Sequence, residues 1–148
     1  MKKLIFVIFL ITIFLASSVA MAADKIEVQF WHAMGGWRIE LLQEMANDFM
    51  ALHPDINVDV QYTGSYGDTI NKLNVAIQSD VAPHVVQGYD IATQMLIDGE
   101  VAVPMQDLID ADPDFDIGTF MPQVLNYYRV NGKLYCMPFN SSNAVMFY

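Results

Sequence analysis

An α/β fold, with a mostly parallel sheet covered by helices on both faces, is what this 148-residue sequence predicts. Three observations point there. Alternating and helical apolar periods succeed one another three times between Ile26 and Ile97, which is how parallel strands joined by crossover helices read. Gly35-Gly36, His53-Pro54, Thr63-Gly64-Ser65 and Pro83 punctuate those segments. No repeat, low-complexity tract or Gly/Ser linker divides them, so the length fits one domain of ordinary size.

The first strand is Ile26-Glu27-Val28-Gln29-Phe30-Trp31, where apolar and polar residues alternate. After Gly35-Gly36, the residues Trp37, Leu41, Leu42, Met45, Phe49 and Leu52 recur on one face of a helix. His53-Pro54 ends it, because the residue before proline avoids the helical region. A second strand runs from Ile56 to Tyr62, and Tyr66, Ile70, Leu73 and Ile77 mark a second helix. Pro83 leads into a short apolar strand at Val85-Val86, followed by Gly88-Tyr89-Asp90 and a third helix over Ile91 to Ile97 that stops at Gly99. Beyond Pro104 the pattern changes. Met105 to Ile109 and Phe120 to Asn126 read as short helices, and Tyr127–Val130 and Lys133–Met137 as strands around Asn131-Gly132, a two-residue hairpin signal.

The amino terminus reads as a cleaved export signal over residues 1–22. Lys2 and Lys3 precede an apolar run from Leu4 to Leu15, and Ala20-Met21-Ala22 supplies a small-x-small cleavage pattern. The run is shorter than the ~20 residues a membrane-spanning helix needs. Removing Lys2 and Lys3 leaves five basic residues against seventeen acidic, a net charge of −12 that disfavours nucleic acid and anionic membranes as partners. The expected mature compartment is the periplasm. Cys136, the lone cysteine, excludes an intramolecular disulfide.

In an open parallel sheet, ligands gather beyond the carboxyl ends of the strands, here at His32–Gly36, Thr63–Gly67 and Gly88–Asp90. His32, His53 and His84 show no metal-ligand spacing with each other or with Cys136, so no metal or other cofactor is expected. His53 and His84 flank prolines and read as solvated loop residues, while His32 reads as a framework histidine or a rim contact. Cys136 reads as core packing on an apolar strand. Asp110, Asp112, Asp114 and Asp116 alternate, but an EF-hand would want glycine where Phe115 stands and an acid where Met121 stands, so they form an acidic surface loop. Gly35-Gly36 opens a helix without a dinucleotide fingerprint or a P-loop lysine.

Three polar clusters remain: Tyr62 with Tyr66 around a glycine loop, Tyr89-Asp90, and Asn140-Ser141-Ser142, which interrupts an apolar run. Hydroxyls, one carboxylate and aromatic faces together suit a polyhydroxylated ligand. The competing reading is that Asp90 caps the third helix and the serines satisfy local backbone. A hydrolase using Asp90 would need a partner carboxylate or an activated nucleophile, and neither is visible.

The segments FWHAMGG, YTGSYGDTINKL, APHVVQGYDIATQML and MPFNSSNAVMFY resemble the glycerol-3-phosphate branch of the extracellular solute-binding receptors of ABC importers, the group that includes maltose-binding proteins. The resemblance runs from about Ile26 to Tyr148. It implies a two-lobed α/β fold with ligand in the cleft, of which residues 23–148 are the first lobe, ending at a crossing strand, with the second lobe absent. It implies ligand contacts at Tyr66, Asp90 and Ser142, with His32, Tyr89, Asn140 and Ser141 beside them. The family carries glutamate where Asp90 stands, one methylene longer. The implied function is capture of sn-glycerol 3-phosphate or a glycerophosphodiester for an ABC permease, without enzymatic activity. The alternatives are an oligosaccharide receptor of the same superfamily and a truncated, non-binding remnant.

Overall fold

The computed structural model describes residues 25–140 and Met146. Three parallel strands form the central sheet: β1 (Ile26–His32), β2 (Ile56–Tyr62) and β3 (Val85–Val86), in the order β2-β1-β3. β1 pairs with β2 over its full length, from Ile26 opposite Ile56 to His32 opposite Tyr62. On its other side Phe30 and Trp31 pair with Val85 and Val86, and the Gln87 amide extends the ladder by donating to the Trp31 carbonyl at 2.8 Å.

This order fixes where the helices go. The chain leaves β1 through α1 (Arg38–Leu52) to reach β2 on one side, then returns through α2 (Tyr66–Gln78) across β1 to β3. Right-handed crossovers that travel in opposite directions place α1 and α2 on opposite faces of the sheet. Neighbouring residues of β1 show the two faces directly. The Trp31 ring carries the Lys72 ammonium of α2 at 3.9 Å from its centroid, whereas Phe30 and His32 pack ring to ring at 5.8 Å. The direction of winding reverses between β1 and β3, and a crevice opens at the carboxyl ends of such a pair.

Each long element has a local cause. The Ser65 side chain accepts from the Asp68 amide while the Asp68 carboxylate accepts from the Ser65 amide at 2.9 Å, a reciprocal cap that starts α2. The Ser65 hydroxyl, which donates to the same carboxylate at 2.6 Å, and then the Ser65 amide hold the Asp68 carboxyl below its ordinary range. Ile70 and Leu73 of α2 and Ala92 of α3 (Asp90–Asp98) form the buried core, flanked by Ile77, Val86, Tyr89 and Leu96. α1 contributes less: only Leu42 and Ala46 are buried, while Trp37, Leu41, Met45, Phe49 and Leu52 face solvent. The periodicity of α1 locates the helix correctly, but of the apolar face read from it only Leu42 is buried.

The segment after Pro104 departs further from the sequence reading. α4 spans Met105–Ala111, as expected. The second short helix, expected over Phe120 to Asn126, starts two residues later as α5 (Pro122–Tyr127), with Pro122 in its first turn, and a separate 3-10 turn (Ile117–Thr119), where Asp116 accepts from the Gly118 amide, precedes it. The hairpin strands hold only two residues a side, β4 (Arg129–Val130) and β5 (Lys133–Leu134), since Tyr127 belongs to α5; the Tyr135 amide donates to the Tyr128 carbonyl at 3.2 Å, and Cys136 and Met137 lie beyond the pairing. Asn131 (φ 51°) and Gly132 (φ 82°) both take the left-handed conformation of a type I′ turn. Cys136 therefore lies off any strand, half-buried, with its Sγ 3.8 Å from the Thr93 hydroxyl of α3.

Candidate functional site

The carboxyl end of β1 is its dry end: exposure falls along the strand until Trp31 and His32 are buried. His32 is fully buried between the rings of Phe30 and Tyr62, each 5.8 Å away. Its Nδ1 accepts from the Met34 amide at 3.2 Å, so a neutral ring carries its proton on Nε2. Among the described residues, neither His32 Nε2 nor the buried Trp31 Nε1 has a hydrogen-bond partner. Burial holds the His32 imidazole below its ordinary value. His32 is thus built into the floor of the rim.

Two loops are fastened over that floor. The Thr63 amide and hydroxyl both donate to the His32 carbonyl, at 3.0 and 3.2 Å, and the Thr63 hydroxyl lies 2.7 Å from that of buried Thr69. This sets the start of α2, and with it Tyr66, against the end of β1. Gly35 passes so close to Tyr62 that a Cβ there would sit 3.3 Å from the phenol oxygen. The loop after β1 can follow this path because residue 35 has no side chain.

The centre of the arrangement is Gln87, which the sequence reading did not single out. The residue is buried, 6 % exposed. Oε1 accepts from the Ala33 amide at 3.0 Å, while Nε2 donates to Asn140 Oδ1 at 3.1 Å and lies 3.5 Å from the Tyr66 hydroxyl. The Tyr66 and Tyr89 rings sit 5.8 Å apart at a tilt of 55°. Phe139 anchors the segment carrying Asn140 by an edge-on contact with Phe30, 6.4 Å between centroids. One amide thus draws together the loop after β1, the first residue of α2 and the segment leading to Asn140. The available sequence signal was position alone: Gln87 is polar and directly follows an apolar strand at the ligand edge.

Of the residues expected at the site, Tyr66, Tyr89 and Asn140 therefore converge, while His32 is buried at the end of β1 between Phe30 and Tyr62. Asp90 is the first residue of α3, with its side chain outside the described residues, and Tyr89 takes the N-cap position without a side-chain cap. Ser141 and Ser142 lie outside the described residues. His84 is not a purely solvated loop residue, because its Nδ1 accepts from the Gln29 amide at 3.0 Å and satisfies a β1 donor where β3 is too short to do so. His53 is exposed against the Phe49 ring, as expected of a loop residue. Among the described residues no group of His, Cys, Asp or Glu side chains could hold a metal ion, and no helix is long and apolar enough to cross a membrane.

Residues 35–148 match the bacterial extracellular solute-binding protein family, and the chain belongs to that family. It is 32 % identical over 125 residues to the sn-glycerol-3-phosphate-binding periplasmic protein UgpB of Yersinia pestis bv. Antiqua, covering 82 % of this chain and 28 % of the relative. Among solved structures, it resembles the sugar-binding protein MalE from Xanthomonas citri (TM-score 0.65, 28 % identity, 76 % of this chain and 28 % of that one). It also resembles the ABC substrate-binding protein Lmo0181 from Listeria monocytogenes in complex with cycloalternan (TM-score 0.64, 26 % identity, 74 % and 28 %). The α/β fold and parallel sheet are those of solute-binding proteins. The chain spans a little over a quarter of the length of the relatives it matches.

Proposed function

We propose that this chain supplies the first lobe of a periplasmic receptor that captures sn-glycerol 3-phosphate or a glycerophosphodiester for an ABC permease. The observation that carries the reading is the meeting of Tyr66, Tyr89 and Asn140 around Gln87 at the carboxyl ends of the strands. The UgpB relative, named for binding glycerol 3-phosphate, gives the ligand class. In this reading Tyr66 donates to the ligand, Asp90 accepts from glycerol hydroxyls and Ser142 donates to a phosphate or glycerol oxygen, with Asn140 and Ser141 alongside. The reaction is capture and release, without bond-making chemistry. Residues 1–22 serve as the export signal, so mass spectrometry of protein expressed in a bacterium should find a mature chain starting near Ala23. Uncleaved Met1 in a soluble cytosolic fraction would contradict the periplasmic assignment.

An oligosaccharide ligand is the second reading. It rests on the sugar-binding MalE and the cycloalternan-bound Lmo0181 among the structural neighbours, and on the Tyr66–Tyr89 pair, whose ring faces could stack on sugar C–H groups. Titration calorimetry with sn-glycerol 3-phosphate and with maltotriose separates the two. Asn140 is exposed and Tyr66 only half-buried, so water competes for each bond and lowers its net gain. Binding by this chain is expected to be no tighter than ~1 mM, about 4 kcal/mol. In the full-length receptor, where a closed cleft excludes that water, Asp90→Ala and Ser142→Ala should each lose a bond worth ~1.5–3 kcal/mol, weakening binding about ten- to a hundredfold. Tighter binding of maltotriose than of the phosphate ester would select the second reading.

A further inference from the structure

We infer that Gln87 is a positioning residue that sets the hydrogen-bond polarity of the rim, turning the Tyr66 hydroxyl and the Asn140 side-chain NH2 outward as donors so that the half-site reads an acceptor-rich, phosphate-like group. The orientation of the Gln87 amide follows from its partners. A backbone N–H can only donate, so the Ala33 amide requires the carbonyl oxygen of Gln87 to face it. Nε2 then faces the rim with two protons. One is given to Asn140 Oδ1, and the other points along the longer contact to the Tyr66 oxygen. Each rim group that accepts from Gln87 keeps its own protons for something else. Asn140, with its oxygen engaged, presents NH2; Tyr66, with a lone pair engaged, presents O–H. Because Gln87 is almost wholly buried, this choice is made inside the fold and does not adapt to the ligand.

The ligand class in this inference rests on the receptor reading above, whereas the polarity of the rim does not. The experiment therefore has a ligand-free arm and a ligand arm, both on the full chain. In 1H–15N spectra of the wild type, the Gln87 side-chain NH2 should exchange with solvent about tenfold or more slowly than that of Asn140, because both Gln87 protons are engaged and buried. In Gln87→Glu the introduced carboxylate can only accept, so Asn140 must turn its NH2 inward, and its exchange slows. An Asn140 amide as protected as Gln87 in the wild type, or unchanged in a folded Gln87→Glu chain, would overturn the inference. Should that variant fail to fold, Gln87→Met, similar in length and without donor or acceptor, should leave the Asn140 amide unprotected; protection there would count against the inference.

In the ligand arm, Gln87→Glu should bind sn-glycerol 3-phosphate about tenfold or more weakly than wild type near pH 7. A buried carboxyl titrates above its ordinary ~4.3 and regains a donor when protonated. Relative to wild type at the same pH, binding should therefore recover towards about pH 5. A purely packing role for Gln87 predicts no such recovery, and its absence in a chain with wild-type dispersion would contradict a polarity-setting role. Failure of the wild type to bind the phosphate ester, with the exchange pattern intact, would remove the ligand class and leave the polarity standing.

Discussion

α1 and α2 are helices of similar length with apolar residues at similar spacing, yet the fold uses them differently. α2 buries Thr69, Ile70, Leu73 and Ala76, is capped reciprocally at Ser65 and Asp68, and delivers Tyr66 to the rim. α1 buries only Leu42 and Ala46, and its first residue follows Trp37, which makes no side-chain cap. The stripe Trp37, Leu41, Met45, Phe49 and Leu52 is exposed, from 41 % at Leu41 to 78 % at Leu52. Periodicity reports that a helix has an apolar face; burial depends on what the rest of the fold places against it. The helix that holds the site is the one packed on both α3 and the sheet.

The largest expected effect tests that packing. Leu73, 2 % exposed in the α2 core, should cost ~2–5 kcal/mol when cut to alanine, read as a lowered denaturant midpoint with unchanged slope. A loss under ~1 kcal/mol would mean the core collapses around the deletion and the contrast with α1 is overdrawn.

Next comes the cap. Ser65→Ala removes the acceptor for the Asp68 amide and should cost ~1 kcal/mol, measured the same way. An unchanged midpoint would show that α2 is held by packing alone.

The floor of the rim supplies a pH test. Because burial depresses His32 below 6.5, the unfolded chain takes up a proton that the folded chain refuses. The associated stability is complete above 6.5 and is lost as pH falls from 6.5 towards the folded value. Denaturant melts at about pH 7.5 and about pH 5.5 should show a decline that is smaller in His32→Gln. An equal decline in both would assign the acid sensitivity to other groups.

The smallest effect belongs to α1. Met45→Gln on the exposed stripe should change stability by no more than ~0.5 kcal/mol, by chemical denaturation. A cost above ~2 kcal/mol would mean that this face is covered in solution.

How much of this was legible in the residues differs along the chain. Ile26 to Asp98 was readable because each strand and helix carries its own period and its own breaker, and the Asn131-Gly132 turn because two positive φ angles demand those residues. The region after Pro104 was readable only in part. Its elements run to seven residues or fewer, so local caps such as Asp116 and Pro122 decide their ends rather than any apolar period. At the rim, Tyr66 and Tyr89 could be placed because they follow strands at the ligand edge. Gln87 could not, since its role comes from contacts 54 and 53 residues away, at Ala33 and Asn140, and no local pattern encodes those.

The most direct test of the account is where a ligand touches the chain. Titrating 15N-labelled protein with sn-glycerol 3-phosphate well beyond ~1 mM, the tightest Kd expected, should shift the backbone and side-chain signals of Tyr66, Gln87, Tyr89 and Asn140 together, along one binding curve. Signals along the exposed stripe of α1 should stay still. Shifts confined to α1, or scattered without saturation while the rim is silent, would contradict the claim that the carboxyl ends of β1, β2 and β3 form the binding site.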